Sequence, residues 1–413
     1  MIKKAFPVLG LSIFASMLGV GIVAPLLPLY AEKMGATGIW IGMIFAGFSI
    51  SRTVVMPIAG RISDRKGRKI FLAAGLLLYA IISLGYIWAS DVVQLTLVRF
   101  VQGIAAGMVI PIAQAYVGDL SPEEEEGKWQ GYFNAAFFSG FGFGPLMGGA
   151  LTDHFGMELA FVAMGGLNML SFVLVMFFLP EPQSKLTTAH MTPSFKKMRA
   201  SNVIKGLLGY RLAFSIGRGT FAGFLPIFAG MYIGLTATQI GILIASNILV
   251  MSLLQPLGGV LADRFSRMVL VIAGSLANIA FLALIPWGRN FFELLAICLA
   301  GSLGGSISMP AASAMIVEEG RRFGMGSTMA VFGMVFSLGM GIGPLLGGII
   351  VDTFNIRAVF YFGACMGIIG TAVLALHARA TRVSRPQWGL DAPPSLQENS
   401  QRKSPHQGKR RML

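Results

Sequence analysis

The sequence predicts an all-α integral membrane protein of twelve transmembrane helices, arranged as two pseudo-symmetric six-helix halves. Three observations carry this. The first is composition: of 413 residues, 55% are hydrophobic and only 12% charged, with a mean hydropathy of +0.72. A chain with so little polar surface is not a soluble globule. The second is the run length. Apolar stretches of about 20 residues, the length a helix needs to cross a bilayer, recur along the chain. The third is internal repetition. A charged stretch, several glycines and three prolines recur at a constant offset of 199 residues.

The spans fall near 7–30, 40–60, 70–89, 92–118, 129–152 and 158–180. A second set lies near 206–232, 238–260, 269–287, 292–316, 326–350 and 358–378. The first run is too long for the apolar core of a signal peptide and leads into another span, so it reads as the first helix. Residues 1–180 form the first bundle and 206–378 the second. The linker 181–205 is polar, carries Pro182 and Pro193, and has room for a short surface helix around Phe195–Arg199. The tail, 379–413, is basic and has little to bury, so disorder is expected. Its charges read either as a solvated aid to topology or as contacts to anionic lipid.

Charge sets the orientation. With the N-terminus inside, 25 basic residues lie on the cytoplasmic side, Lys33, Arg289 and Arg357 lie outside, and four lie within spans. Positive charge is retained on the cytoplasmic side, so both termini are expected in the cytoplasm of a cell with this protein in its cytoplasmic (inner) membrane. The same asymmetry accounts for the net charge of +14 without a nucleic-acid partner. The two cysteines, Cys298 and Cys365, fall inside apolar runs and read as buried packing residues.

The most informative local feature is Gly60 to Lys69, GRISDRKGRK, a dense charged turn between the second and third spans. Its partner is Gly259 to Met268, GVLADRFSRM. Gly60, Asp64, Arg65 and Arg68 thus recur as Gly259, Asp263, Arg264 and Arg267, while Gly67 and Lys69 become Ser266 and Met268. Elsewhere Gly42, Pro57 and Pro111 recur as Gly241, Pro256 and Pro310. The fifth span carries Gly140, Gly142, Gly144, Pro145, Gly148 and Gly149. The eleventh carries Gly339, Gly341, Gly343, Pro344, Gly347 and Gly348. Asp153 and Asp352 follow at the same spacing. Six helices per copy place both copies in one orientation, as parallel repeats about an axis along the membrane normal.

Gly140, Gly144 and Gly148 share one helix face, as do Gly339, Gly343 and Gly347. Such faces admit close helix contact, and Pro145 is expected to bend its helix. Ordinary helix packing explains part of this. The sharper expectation makes these faces the seams along which the two halves rock.

With two six-helix halves and this charged turn, the chain resembles the major facilitator superfamily over residues 5–378. Arg99, Gln102 and Gly103 resemble that family's fourth-helix motif. Gly140 to Gly149, GFGFGPLMGG, resembles the fifth-helix motif of its drug:proton antiporter branch. The resemblance implies the family's fold and alternating access. It implies that Asp64 pairs across to the start of the eleventh helix and latches the outward-facing state, with Gly60, Arg65, Gly67 and Arg68 supporting it. Arg61 and Lys66 read as topology charges. The resemblance also suggests a role for Arg99 in proton transfer.

The spans contain four arginines and no mid-span carboxylate. An arginine at mid-helix costs about 2.5–3.5 kcal/mol on insertion scales, so it usually faces a cavity or a partner. Arg218, at mid-span in the seventh helix, is the expected substrate contact. Arg52 reads either as a cavity residue or as a snorkelling one, and Arg211 as a snorkelling one. Asp119, at the end of the fourth span, is either a proton-coupling residue or a topology residue. Arginines without carboxylates point to neutral, amphiphilic or anionic substrates.

No P-loop, zinc-ligand spacing or nucleophile elbow is present, so no enzyme, cofactor or metal is expected. The expected function is proton-coupled efflux of small organic compounds by a monomer. Its partners are then a small-molecule substrate, protons and the lipid bilayer. A uniporter or symporter for an organic anion, and a non-transporting sensor on the same fold, are the other readings.

Overall fold

The computed structural model describes residues 2–122, 126–180, 201–323 and 325–383. The linker helix expected near 195–199 lies outside them, as does the tail beyond Val383. Among the described residues there is no strand.

The first span is two helices, α1 (Ile2–Val23) and α2 (Leu26–Lys33). The single helix expected there is interrupted at Ala24–Pro25, where proline cannot donate the backbone bond that continuity needs. Next come α3 (Gly38–Lys66), α4 (Arg68–Trp88), α5 (Val92–Leu120), α6 (Glu126–Phe155) and α7 (Met157–Phe178). The second set is α8 (Asn202–Ile227), α9 (Ala237–Arg264), α10 (Arg267–Leu284), α11 (Phe291–Phe323), α12 (Met325–Thr353) and α13 (Ile356–Val383). The end of α8 widens into a π turn over Phe228–Tyr232. Ser201 caps α8 by accepting the Ile204 amide, which starts that helix four residues earlier than expected. At the other end α13 continues five residues into the expected tail.

Eleven spans are long and apolar enough to cross a membrane by length and composition, counting α1 with α2 as one. The remaining helix, α6, spans 30 residues, and its apolar character is diluted by its glycines. Large apolar side chains such as Phe292, Leu253 and Phe177 are exposed on the outer surface. That is the reverse of a soluble protein and suits a lipid environment.

Within the first half, α1 packs on α6 and α7, α3 on α5, and α4 on α5 and α7. Within the second, α8 packs on α12 and α13, α9 on α11, and α10 on α11 and α13. The main contacts between halves form two seams, α3 against α12 and α6 against α9. These exchange under the offset of 199. Helices α1, α5, α8 and α11 belong to neither of these two seams.

The buried apolar residues show which side of that space is closed. On the side away from the charged turns, one cluster runs through both halves, from Ile22, Ile41 and Phe45 to Phe224, Phe228 and Ile244. On the side of the charged turns there are two separate clusters. One holds Leu9, Leu76, Tyr116 and Phe133 of the first half, the other Leu207, Tyr210, Val271 and Phe332 of the second. Among the described residues the apolar core is joined on the far side and split on the basic side.

Candidate functional site

The charged turn is mostly helix. Helix α3 runs through Lys66, and the reversal is confined to Gly67, whose φ of +98° only glycine adopts without strain. At the second copy Ser266 has φ −58°, so a side chain is tolerated where the first copy needs glycine. Asp64 is exposed and forms its ion pair with Arg68 at 2.9 Å, one helical turn along. Arg68 also grips Asp119 at the end of α5, donating from Nε and, at 3.2 Å, from Nη2. The second half repeats this: Arg267 meets Glu318 at 3.1 Å. Asp119 thus joins two helix ends within one half. Arg65 and Arg264 are exposed, and the side chain of Asp263 lies outside the described residues. A Cβ on Gly60 or Gly259 would meet nothing within 4 Å, so the basic side is open around both copies.

Arg99 is buried in the first half. Its Nη1 donates to Gln102 Oε1 at 2.5 Å, and the Tyr86 hydroxyl donates to the same oxygen at 2.5 Å. Its guanidinium lies 4.3 Å from the ring centre of Phe48 and 5.5 Å from that of Phe45, within cation–π range. Gly103 lets α5 approach α3, since a Cβ there would strike the Phe48 carbonyl and Ser51 Oγ. The three residues of the fourth-helix motif therefore serve one purpose locally, which is to hold a guanidinium between α3 and α5.

The glycine faces divide in a way their spacing does not reveal. Gly140, Gly144 and Gly148 face α1 of their own half, against Phe14, Gly21 and Ile22. Gly339 and Gly343 face α8 of theirs, and Gly347 meets Phe224 of α8 and Val359 of α13. These stripes are intra-half packing, which corrects their expected place at the seam. The seams use other residues. Gly142 and Gly149 meet Leu249 and Ala237 of α9, and the Pro145 carbonyl meets Gly241. In the second seam Gly341 and Gly348 meet Ser49 and Gly38 of α3, and a Cβ on Gly42 would lie 2.7 Å from the Pro344 carbonyl. Thr53 Oγ1 lies 3.0 Å from Ser337 Oγ across the same seam, deeper in the molecule.

Two carboxylates close the far ends of the seams. Asp352 accepts the Gly38 amide at 2.7 Å and the Ile39 amide at 2.9 Å, capping α3 from the other half. Asp153 accepts the Ala237 amide at 3.1 Å and the Thr238 amide at 2.8 Å, capping α9. A carboxylate at a helix N-terminus satisfies free amides and the positive end of the dipole. Burial pushes the Asp153 carboxyl up, but hydrogen bonds from Thr238, Thr236 and Ala237 outweigh it and hold it below its ordinary value. In the sequence both aspartates stand out only as repeats at span ends. The signal was present, since Gly38 and Ala237 are also 199 residues apart.

The second half holds two partly buried arginines on α8. Arg218 Nη1 donates to Asn247 Oδ1 at 2.6 Å, and Asn247 Nδ2 donates to the Cys298 carbonyl at 2.9 Å. Arg211 lies between two rings, 4.5 Å from Phe332 and 4.3 Å from Phe336, with Met309 Sδ 2.8 Å from Nη1. It is enclosed by α11 and α12 side chains rather than snorkelling. Arg52 is partly buried on α3, and its Nε has no partner. Cys298 is buried, but Cys365 is exposed on α13, against expectation; both are free thiols. Among the described residues no group of His, Cys, Asp or Glu is placed to hold a metal.

The Major Facilitator Superfamily model matches residues 9–232 and again 207–407. An uncharacterised MFS-type transporter of Methanocaldococcus jannaschii is 29% identical over 375 residues, covering 89% of this chain and 96% of that one. The quinolone resistance protein NorA of Staphylococcus aureus is 26% identical over 382 residues, covering 91% and 96%. The crystal structure of a bacterial homologue of the human lysosomal transporter Spinster, inward-facing and unoccupied, superposes with a TM-score of 0.81. It is 16% identical and covers 94% of this chain and 99% of that one.

Proposed function

Because this chain belongs to the Major Facilitator Superfamily, a family of multi-pass membrane transporters, we propose that it exports small organic, amphiphilic compounds in exchange for protons by alternating access. The observation that supports this best is the division of the apolar core, single on the far side and split on the basic side. A body closed at one face and open at the other is one end state of such a cycle. The basic side is the cytoplasmic side by its lysines and arginines, so this is the inward-facing state. Both termini are then cytoplasmic, and the membrane is the cytoplasmic one. The protein works as a monomer with protons, its substrate and the lipid bilayer as partners.

In this state the Asp153 and Asp352 clasps hold the outer face shut. In the opposite state the inner face closes, and Asp64 exchanges part of its pairing with Arg68 for the start of α12. Gly60 and Gly259, now facing open space, leave room for that approach. Arg99 and Gln102 are the proton-linked pair. The relative linked with quinolone resistance supports efflux as the direction.

Proteoliposomes under an imposed proton gradient test this directly. Substrate-dependent proton flux is expected; a panel of organic compounds that moves no protons removes the antiport reading. Saturable binding of a compound that no proteoliposome assay shows to be moved, in either direction and with or without a proton gradient, would point instead to a non-transporting sensor. Passive or proton-symported uptake of an organic anion is the second reading. It is favoured by the in-span arginines, none of which has a carboxylate partner among the described residues.

A further inference from the structure

Charge inside a membrane span is normally neutralised by a nearby opposite charge, because leaving it alone is expensive. Among the described residues, Arg52, Arg99, Arg211 and Arg218 are held without one. The neighbours of Arg99, Arg211 and Arg218 are rings, an amide oxygen or a thioether. The Nε atoms of Arg52, Arg99 and Arg211 are buried and unpartnered. Phenyl faces and amide dipoles stabilise a guanidinium without neutralising it. The field around these arginines is therefore positive, in a medium of low dielectric where it acts strongly.

Two of these cations form a pair. Arg211 and Arg218 are seven residues apart on α8, about two turns, so they share a face and differ in depth by about 10 Å. The α13-facing side of α8 carries Gly206, Gly209 and Gly217 instead. Helix α8 lies in neither seam, and Arg211 is the nearer of the two to the open side. Asn247 is fixed by the Cys298 carbonyl, so its oxygen faces Arg218, and among the described residues the guanidinium has no other hydrogen bond. A guanidinium fork matches a carboxylate, sulfonate or phosphate better than any other ligand group. Phe221, Phe332 and Phe336 supply apolar surface beside it.

We propose that the Arg211–Arg218 face of α8 binds the head group of an anionic amphiphile, a single acidic group on an apolar or aromatic body. Arg211 meets the head group on the open side, and Arg218 takes it two turns deeper. Asn247 acts as a positioning residue. The proposal rests on the transport reading above and narrows its substrate class: organic cations are disfavoured.

Three fluorophores with one body and different charge provide the test: dansylglycine (anionic), dansylamide (neutral) and dansylcadaverine (cationic). Binding is titrated on the full chain in phosphatidylcholine nanodiscs. Dansylglycine is expected to bind at least tenfold more tightly than dansylcadaverine. Arg211→Gln and Arg218→Gln each lower its affinity about tenfold, while Arg211→Lys and Arg218→Lys recover part of the loss. Asn247→Asp gives Arg218 a carboxylate of its own and removes the preference for the anion. Absence of saturable dansylglycine binding, equal binding of the three probes, or an anion preference that survives both Gln variants would overturn the proposal. So would loss of dansylglycine binding on adding phosphatidylglycerol to the disc, which would reassign the face to a lipid head group. Flux in proteoliposomes separates this from the transport reading. Arginine-dependent binding without flux defeats transport alone, and proton-linked flux of the cationic probe that is indifferent to both arginines defeats the anion site alone.

Discussion

Asp352 reaches from the last turn of α12 to the first amide of α3 in the opposite half, accepting Gly38 N–H at 2.7 Å. Its pseudo-symmetric counterpart, Asp153, does the same for α9. Each clasp joins a carboxylate to a helix N-terminus, a contact worth about 0.5–2 kcal/mol when removed. Together they are large enough to set the balance between two conformations that lie a few kcal/mol apart.

Replacing either aspartate by alanine is therefore expected to shift the population several-fold towards a state open on the far side. The double replacement should shift it further, roughly as the product of the two. Spin-label distances across the far ends of α3 and α12 report this. An unchanged distance distribution in the double variant would show that the apolar cluster alone keeps that side shut.

The clasps also give a pH dependence with a definite sign. The Asp153 carboxyl is held below its ordinary value of 3.8 when clasped. A group with a depressed pKa contributes stability above that ordinary value and loses it as pH falls through the clasped value. Far-side opening is expected to rise only below about pH 4 and to stay flat between pH 5 and 8. Asp153→Asn should reduce that acid response; a response centred near neutrality would implicate another group.

The two kinds of glycine predict different phenotypes. Gly42→Ala places a Cβ 2.5 Å from the Leu345 Cα across the seam, so it should hinder far-side closure and leave each half folded. Gly144→Ala places one 2.5 Å from the Gly21 Cα inside the first half, so it should lower the melting temperature instead. Melting curves read beside far-side accessibility distinguish them.

Arg68 and Arg267 are not equivalent. Arg68 is 16% exposed and bridges Asp64 and Asp119, whereas Arg267 is 36% exposed and meets Glu318, itself 62% exposed. Exposed pairs are worth about 0–1 kcal/mol. Arg267→Ala is expected to change thermal stability within that range, and Arg68→Ala to cost more.

Gln102 accepts from both Arg99 and Tyr86 in a buried setting. Gln102→Leu leaves both donors unsatisfied, at a cost of about 1–3 kcal/mol. Gln102→Glu should be better tolerated, because it keeps the acceptor and neutralises the arginine. Comparing the melting temperatures of the two variants checks this.

Much of the architecture was legible from the sequence because its signals are local. Span length, the basic asymmetry and the offset of 199 need no knowledge of contacts. The site was legible in part. Arg99, Gln102 and Gly103 do meet at one place, and Arg218 does face polar groups within its half. Phe48, Tyr86 and Asn247 were not found, since nothing in an apolar run distinguishes the aromatic or amide side chain that faces a guanidinium from one that faces lipid.

The sequence by itself determined a twelve-span, twofold-repeated membrane transporter, because hydropathy acts residue by residue; that the charged turn over 60–69 is helix up to Lys66 and reverses at Gly67 came from the structure. Only the tertiary structure decided which glycines form the seam. Gly140, Gly144 and Gly148 lie on one face of α6, Gly142 and Gly149 on another, and their spacing suits either use. The structure also decided that the apolar core is joined on the far side, and that Asp352 and Asp153 cap α3 and α9 across it. Those contacts join residues as much as 314 positions apart, and which of them forms depends on how two bundles sit together, a balance of a few kcal/mol that no single helix encodes.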